Sequence, residues 1–231
     1  MDHNKAYDID KLQQAWENLL PEGAMTRTLV IADYTDRLAE AELHYIAGVS
    51  ERRKTEFSTS RYAIRSLIQS QCDTWQGVIP DSQHMPVWPE GWRGSISHSR
   101  GICTVTVAQK TRVSAIGIDL ESLDRLRPEL WHKIATRDEL EQIERYCSKS
   151  SYGMADLMTA VFSLKEAFYK YQYPLTGLWL GFLDVHLSFT SDNSAVLSRQ
   201  AEVGDLPVQG TTIAYQLTPT HVLSTVYRLH T

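Results

Sequence analysis

The stretch Val113-Ser114-Ala115-Ile116-Gly117-Ile118-Asp119-Leu120-Glu121 is an apolar segment that ends in two carboxylates. Its β-branched and small apolar residues are typical of a half-buried strand. Side chains at i and i+2 of a strand point to the same face, so Asp119 and Glu121 should project side by side, with open space left by Gly117. Two close carboxylates repel each other unless a cation such as Mg²⁺ lies between them. The alternative is a strand end that becomes acidic where it reaches water.

The composition is that of an ordinary globular protein. The chain has 231 residues, of which 42% are hydrophobic and 22% charged, with a net charge of −5. This length allows one large domain or two small ones with a substantial core. The negative charge argues against a general nucleic-acid binder. Three widely spaced cysteines, a polar N-terminus and the lack of an apolar run of about 18 residues predict a cytoplasmic protein without a transmembrane segment.

The hydrophobic pattern predicts an α+β fold, with a division into halves near residue 115. Strands are expected at 28–32, 95–97, 102–108, 113–121, 185–189, 195–197, 211–217 and 221–229. Helices are expected at 36–71, with a break near Gly48, and at 152–171, where Pro174 should stop the second helix. Thr136 and Glu139 form a capping-box pattern that predicts a further helix between these two. The first 25 residues are weakly periodic, and 73–94 is a proline- and tryptophan-rich loop.

A second informative stretch is Phe162-Ser163-Leu164-Lys165-Glu166-Ala167-Phe168-Tyr169-Lys170. On a helix, Phe162, Glu166 and Lys170 share one face. A solvated Glu–Lys pair is the ordinary explanation of such spacing. This helix is otherwise apolar, however, and charges on a mostly buried helix need partners. Placed beside the acidic strand, its carboxylate and two ammonium groups would complete a magnesium–polyphosphate site.

A third stretch, Ser95-Ile96-Ser97-His98-Ser99, ends at a turn. Hydroxyls and free backbone N–H groups at a turn are suited to binding phosphate. The alternative is that His98 has a purely structural role and binds no phosphate. A hydrolase pair of Ser97 and His98 is disfavoured, because neighbouring residues on a strand point apart and no nucleophile elbow surrounds Ser97.

In their order along the chain, these three stretches resemble the signature of the 4′-phosphopantetheinyl transferases. Three further segments resemble the branch that serves enterobactin-type siderophore synthetases: the basic segment 51–65, the loop Pro86-Val87-Trp88-Pro89 and the segment 173–177. The resemblance covers roughly residues 50–190. A solvated helix face remains the alternative for the basic segment.

The resemblance implies two similar α+β halves that form a pseudo-dimer, with coenzyme A and Mg²⁺ in the cleft between them. Residues 1–115 would form the nucleotide side, and 116–231 would carry the magnesium and catalytic residues. The implied metal ligands are Asp119, Glu121 and Glu166. The implied coenzyme contacts are Arg53, Arg61, His84, Met85, Pro86, Ser97, His98, Lys165 and Lys170. Three departures from the family pattern are Phe162 for tryptophan, Ser60 for glycine, and Met85 where many relatives have a basic residue.

The implied activity is transfer of 4′-phosphopantetheine from coenzyme A to a serine of an apo carrier protein or of a carrier domain of a nonribosomal peptide synthetase, in siderophore biosynthesis. Glu166 would deprotonate the serine, directly or through a metal-bound water, and Lys170 would neutralise developing charge. With two equivalent halves in one chain, a monomer would be sufficient. Two other functions stay open from the sequence: a magnesium-dependent phosphohydrolase of a nucleotide or diphosphate, and a non-catalytic partner-binding module using the basic segment and the tryptophan-rich loop.

Overall fold

The computed structural model describes residues 8–72, 74–123, 125–191, 193–199 and 209–230. The helices are α1 (Ile9–Leu19), α2 (Glu40–Tyr45), α3 (Glu51–Ile68), α4 (Trp131–Ile134), α5 (Arg137–Cys147) and α6 (Met154–Thr176). The strands are β1 (Ala24–Val30), β2 (Trp92–Ser99), β3 (Ile102–Gln109), β4 (Val113–Ser122), β5 (Val185–Ser191), β6 (Ser194–Arg199), β7 (Thr211–Leu217) and β8 (His221–Leu229). The α+β class is therefore confirmed. No helix in the described ranges is both long and apolar enough to cross a membrane.

The N-terminal half is a three-stranded antiparallel sheet, in the order β1-β3-β2, with α3 packed on one face. Ala63, Ile64 and Ile68 of α3 are fully buried against Val105 and Val107 of β3. The predicted break in the long helical segment is confirmed: α2 ends before Gly48, which has a φ of +86°. Ser50 then caps α3 by accepting a hydrogen bond from the backbone of Arg53.

The C-terminal half is a five-stranded antiparallel sheet, in the order β4-β8-β7-β6-β5, with α6 packed against it. Leu157, Val161, Leu164 and Phe168 are buried on this helix. The capping box of Thr136 and Glu139 is confirmed at the start of α5, where each side chain bonds the other's backbone N–H.

The expected end of α6 before Pro174 is wrong, because the helix continues to Thr176. A proline there removes only the hydrogen bond that its missing N–H would give to Lys170, and the last turn tolerates that loss. Gly177, with a φ of +66°, terminates the helix, and its N–H donates to the carbonyl of Tyr173 at 2.8 Å.

The helix α1 was not predicted from the weakly periodic N-terminal sequence. Asp8 caps it, and Leu12, Ala15 and Trp16 form its buried face. These side chains share a core cluster with Ile102 of β3 and Ile118 of β4, so α1 packs against both sheets. This helix therefore helps to fix the two halves relative to each other.

The two sheets meet where β2, an edge strand of the first, lies beside β4, an edge strand of the second. The halves share the arrangement of one long helix on an antiparallel sheet, although one sheet has three strands and the other five. The expected boundary between residues 115 and 116 lies inside β4. The functional residues predicted from the three sequence stretches belong to β2, β4 and α6, which all meet at this junction.

Candidate active site

Gly117 brings α6 against the acidic strand. A Cβ added at this position would collide with the carbonyl oxygen of Ala167 and would come within 2.5 Å of the backbone nitrogen of Tyr171. The space beside Gly117 is thus filled by helix backbone, and the expectation that it is open is wrong. Because the strand and helix approach so closely, Glu166 and Lys170 are delivered to the end of β4 that carries the two carboxylates.

Asp119 is 3% exposed, and its two carboxylate oxygens have different surroundings. Oδ1 accepts hydrogen bonds from the Ser97 hydroxyl at 2.9 Å and from Lys170 Nζ at 2.7 Å. Oδ2 is buried and has no hydrogen-bond partner within the described part of the chain. Burying a charged oxygen without a partner costs free energy. A bound cation or a hydrogen-bond donor from a ligand would remove this cost at Asp119 Oδ2.

The neighbouring carboxyl groups have perturbed ionisation. Burial and the nearby charge of Asp119 raise the pKa of Glu121 to about 7, although Ser99, Arg125 and Lys170 oppose the shift. The same two causes raise the pKa of Glu166. Asp119 thus disfavours the charged forms of both Glu121 and Glu166, while the ammonium of Lys170 contacts Asp119 directly.

The donor chemistry of Asp119, Glu121 and Glu166 fits a hard divalent cation, because such ions bind carboxylate oxygens and relieve their mutual repulsion. The unpartnered Asp119 Oδ2 supports this fit. Nevertheless, in the conformation described, no group of three or more His, Cys, Asp or Glu side chains within the described ranges is arranged to hold a metal ion. The metal-ligand assignment therefore stays a prediction.

Lys170 has all three of its ammonium protons engaged. Besides Asp119, it donates to the Ser97 hydroxyl and to the carbonyl oxygen of Ile118, each at 3.2 Å. Its side chain is 28% exposed and borders both of the cavities described next. The lysine can thus place positive charge at the surface of the site while its position is fixed by β2 and β4.

A cavity of about 340 Å³ lies on the N-terminal side of the junction. Its walls contain five of the predicted coenzyme contacts from this half: Arg53, Arg61, His84, Met85 and Pro86. His98 and Lys170 close its other end. The structure thus brings together residues of α3, of the loop 74–91, of β2 and of α6, which lie far apart in the sequence.

Arg61 is the most buried cation of this first cavity. Its guanidinium lies 4.0 Å from the centroid of the Phe57 ring, and its Nε donates to the carbonyl of Val78 at 2.6 Å. Burial lowers the pKa of Arg61 to about 10, which still leaves it charged at neutral pH. The buried carboxylate of Glu42 holds the same loop residue, accepting from Val78 N–H at 2.7 Å. Arg61 and Glu42 together fix the start of the loop segment that forms the cavity wall.

A second cavity of about 710 Å³ contains the acidic cluster. Ser97, His98, Asp119, Glu121, Glu166 and Lys170 all line it. His98, Lys170, Ile96 and Glu56 border both cavities, so the two are continuous. We refer to them together as the cleft.

Lys165 does not line the cleft. Its ammonium forms a buried ion pair with Glu139 at 2.7 Å and donates to the carbonyls of Ile134 and Phe182. Lys165 borders a third, mostly apolar cavity of about 340 Å³, but its charge is fully used inside the protein. This side of α6 packs on α4 and α5, which keeps the Lys165 ammonium away from the cleft. The predicted position of Lys165 near the diphosphate and pantetheine of the coenzyme stays a prediction.

Two models of known families match consecutive parts of the chain. Residues 40–108 match the 4′-phosphopantetheinyl transferase N-terminal domain, and residues 115–223 match the 4′-phosphopantetheinyl transferase superfamily. A relative in Nocardia iowensis, the 4′-phosphopantetheinyl transferase Npt, is 30% identical over 197 residues, which are 85% of this chain and 86% of the relative. The chain belongs to the 4′-phosphopantetheinyl transferase superfamily.

Other relatives agree with this membership. The 4′-phosphopantetheinyl transferase PptT of Mycobacterium tuberculosis is 27% identical, covering 83% of this chain and 88% of the relative. The 4′-phosphopantetheinyl transferase Svp of Streptomyces mobaraensis is 28% identical, and the match covers 83% of this chain and 78% of the relative. A solved holo-(acyl-carrier-protein) synthase from Bacillus anthracis, in complex with CoA (3′,5′-ADP), covers 52% of this chain and 99% of its own at 20% identity and a TM-score of 0.37. The family models and the curated relatives together make the protein a transferase of this superfamily.

Several residues that line or support the cleft were not predicted from the sequence. Arg52, Arg100 and Arg125 line the second cavity, and Arg125 lies 3.7 Å from Glu121. Glu139 and Glu42 were not recognised as buried anchors. The alternating serines at 95, 97 and 99 gave a detectable signal, because three hydroxyls at period two must share one face of a strand. From the sequence alone, these hydroxyls predict phosphate binding and not a contact between two strands.

Proposed function

We propose that this transferase moves 4′-phosphopantetheine from coenzyme A to the serine hydroxyl of a carrier protein and releases 3′,5′-ADP. The observation that carries the proposal is the continuity of a cation-lined cavity with a carboxylate-lined one, joined at His98 and Lys170. A nucleotide that carries a diphosphate fits this arrangement. Its phosphorylated adenosine would bind in the first cavity, and its anionic diphosphate would lie at the junction of the two cavities. Membership of the superfamily supports the same reading.

The nucleotide would occupy the first cavity. Arg53 and Arg61 supply positive charge for a phosphate, and the loop residues His84, Met85 and Pro86 supply an apolar wall for a base. Because Met85 has no charge, the phosphate at this wall would rely on the arginines of α3.

The pantetheine arm would leave the junction through the third cavity. This groove shares Glu166 with the cleft and is lined by Phe168, Tyr169, Trp179 and Phe182. An uncharged, flexible arm is well suited to a mostly apolar groove. Trp179 is 80% exposed and forms an edge contact with Tyr169, so its ring can cover a bound chain.

In the proposed reaction, the carrier serine oxygen forms a bond to the β-phosphorus, and the bond from that phosphorus to the bridging oxygen breaks. The leaving 3′,5′-ADP keeps the bridging oxygen and its electron pair. Glu166 accepts the serine proton, because its carboxylate lines the cleft beside Lys170. Lys170 offsets negative charge on the transferring group. Asp119, Glu121 and Glu166 would hold a magnesium ion, which would neutralise negative charge on the diphosphate.

The remaining parts of the proposal concern the physiological setting. The segments 86–89 and 173–177 support carrier domains of nonribosomal peptide synthetases in siderophore biosynthesis as the acceptors. A monomer would be sufficient, because both sides of the cleft come from one chain. A cytoplasmic location fits the buried thiol of Cys103 and the wide spacing of the cysteines.

The test is an intact-mass measurement of apo carrier proteins incubated with coenzyme A, Mg²⁺ and the enzyme. We expect each acceptor to gain one 4′-phosphopantetheine, and no gain when EDTA replaces Mg²⁺. Equal loading with EDTA would refute the magnesium part alone. Rapid release of 3′,5′-ADP without any carrier would instead indicate a hydrolase. Absence of both release and transfer, with every carrier class tried, would contradict the proposed function.

A further inference from the structure

Three serines of β2 complete the open edge of β4. The hydroxyls of Ser95, Ser97 and Ser99 accept hydrogen bonds from the backbone N–H groups of Ile118, Leu120 and Ser122, at 3.0, 3.1 and 3.3 Å respectively. The constant offset of 23 residues means that β2 and β4 run in parallel, with side-chain oxygens in the place of backbone carbonyls. We call these three hydrogen bonds the serine seam.

The seam joins the two halves of the molecule. The strand β2 belongs to the three-stranded sheet, and β4 belongs to the five-stranded sheet. All three serines are nearly buried, with Ser97 only 4% exposed. Hydrogen bonds in such surroundings are well protected from water, so the seam fixes the register between the two edge strands.

Two of the three serines also hold a carboxylate. Ser97 donates to Asp119 Oδ1 at 2.9 Å, and Ser99 donates to Glu121 Oε2 at 3.1 Å. The equivalent position opposite Ser95 is Gly117, which has no side chain to hold. Ser95 therefore serves as an internal control, because it only joins the two strands. Ser97 and Ser99 join the strands and also orient an acidic side chain.

The hydrogen-bonding capacity of Ser97 is exhausted by these contacts. A hydroxyl has one proton to donate and two lone pairs to accept with. The proton of Ser97 goes to Asp119, while its lone pairs receive the N–H of Leu120 and the ammonium of Lys170. No proton remains for a phosphate oxygen unless the bond to Asp119 breaks.

We infer that Ser97 and Ser99 are positioning residues that orient Asp119 and Glu121 toward a divalent cation, and that the hydroxyl proton of Ser97 serves Asp119 and not a phosphate. The inference rests on the proposed function, which assigns the cation to these carboxylates. Ser97 holds Asp119 Oδ1, whereas Oδ2 has no partner within the described residues, and Ser99 fixes one oxygen of Glu121. Residues that orient metal ligands in this way typically contribute about 10–100-fold to metal affinity.

The test compares Ser97→Ala and Ser99→Ala with Ser95→Ala. Binding of Mn²⁺ alone is measured by isothermal titration, and carrier loading is measured as a function of Mg²⁺ concentration. We expect Ser97→Ala and Ser99→Ala to raise the Kd for Mn²⁺ by about 10-fold or more and to shift the Mg²⁺ requirement upward. Ser95→Ala should lose about as much thermal stability as the other two variants, because each loses one hydrogen bond between the strands. It should change the Kd for Mn²⁺ by less than about 2-fold, because Ser95 holds no carboxylate.

Conservative variants keep the test decisive if an alanine variant fails to fold. Ser97→Thr and Ser99→Thr retain the hydroxyl, and we expect them to restore Mn²⁺ affinity. The inference would be overturned if all three alanine variants bound Mn²⁺ as tightly as wild type. It would also be overturned if Ser95→Ala lost as much Mn²⁺ affinity as Ser97→Ala and Ser99→Ala. A wild-type protein that loads carriers but binds no Mn²⁺ would overturn it while leaving the transfer function intact, whereas failure to load any carrier would refute the proposed function itself.

Discussion

Asp119 shows how one residue can join the two halves of the enzyme. Its Oδ1 is shared by a serine of the N-terminal sheet and a lysine of α6, while its Oδ2 has no partner in the described part of the protein. Burial of such a group is costly, and its retention indicates a role that apolar packing cannot fill. At the residue scale, the site thus contains an acidic group with one oxygen held by hydrogen bonds and the other buried without a partner in the described part of the chain.

His84 has a φ of +63°, a region that disfavours residues with a Cβ. Because a β-branched side chain suffers most there, His84→Val should lower the free energy of unfolding by about 1–2 kcal/mol. His84→Gly should be tolerated, since relief of strain offsets the added freedom of the unfolded chain. Urea unfolding of both variants, with Gln83→Val as the neighbouring control, checks this. A His84→Gly variant as unstable as His84→Val would contradict the strain argument.

Cys103 is fully buried in β3, and burial raises the pKa of its thiol to about 12 from an ordinary value of 9.0. The folded state therefore favours the protonated thiol, and the stability that Cys103 contributes falls as the pH rises above about 9 toward 12. At pH 8 we expect iodoacetamide to modify Cys103 only after the protein is unfolded in urea. Peptide mass analysis of native and urea-treated samples measures this. Rapid native labelling of Cys103 would show that β3 opens readily.

At the scale of elements, the contact between β4 and α6 determines the geometry of the site. Gly117→Ala should lower the free energy of unfolding by at least about 1–3 kcal/mol, because its methyl group would displace helix backbone. Carrier loading should fall as well, since Glu166 and Lys170 would shift with α6. Gly153→Ala is the matched control: its φ is −75°, and the nearest atom to an added Cβ is 3.4 Å away. Equal stability of the two variants in urea would refute the close-packing account.

The elements that the sequence predicts well are those with a local signal. The alternation in β4 places Asp119 and Glu121 on one face, and the i, i+4 spacing in α6 places Glu166 and Lys170 at the cleft. The burial of Lys165 was not predictable, because its partner Glu139 lies on another helix. Likewise, the neighbour of Gly117 is a helix backbone some 50 residues away, and no local pattern reports such a contact.

At the scale of the whole molecule, the enzyme is two sheets of unequal size joined edge to edge, with the cleft at the joint. The family resemblance predicted this arrangement, whereas composition and periodicity predicted only the α+β class and a division near the middle. The serine seam and α1 were not anticipated, since both depend on how the halves are packed. In the proposed reaction, the C-terminal carboxylates and the N-terminal cations act on one bound coenzyme.

The most direct test is the rate at which Asp119→Ala loads an apo carrier protein with coenzyme A and excess Mg²⁺, followed by intact mass. We predict a fall of about 100-fold or more relative to wild type, with an unchanged circular dichroism spectrum, because the variant loses the central carboxylate of the site. Asp10→Ala, on the exposed face of α1, should load at the wild-type rate. A folded Asp119→Ala protein that loads the carrier as fast as wild type would contradict the account.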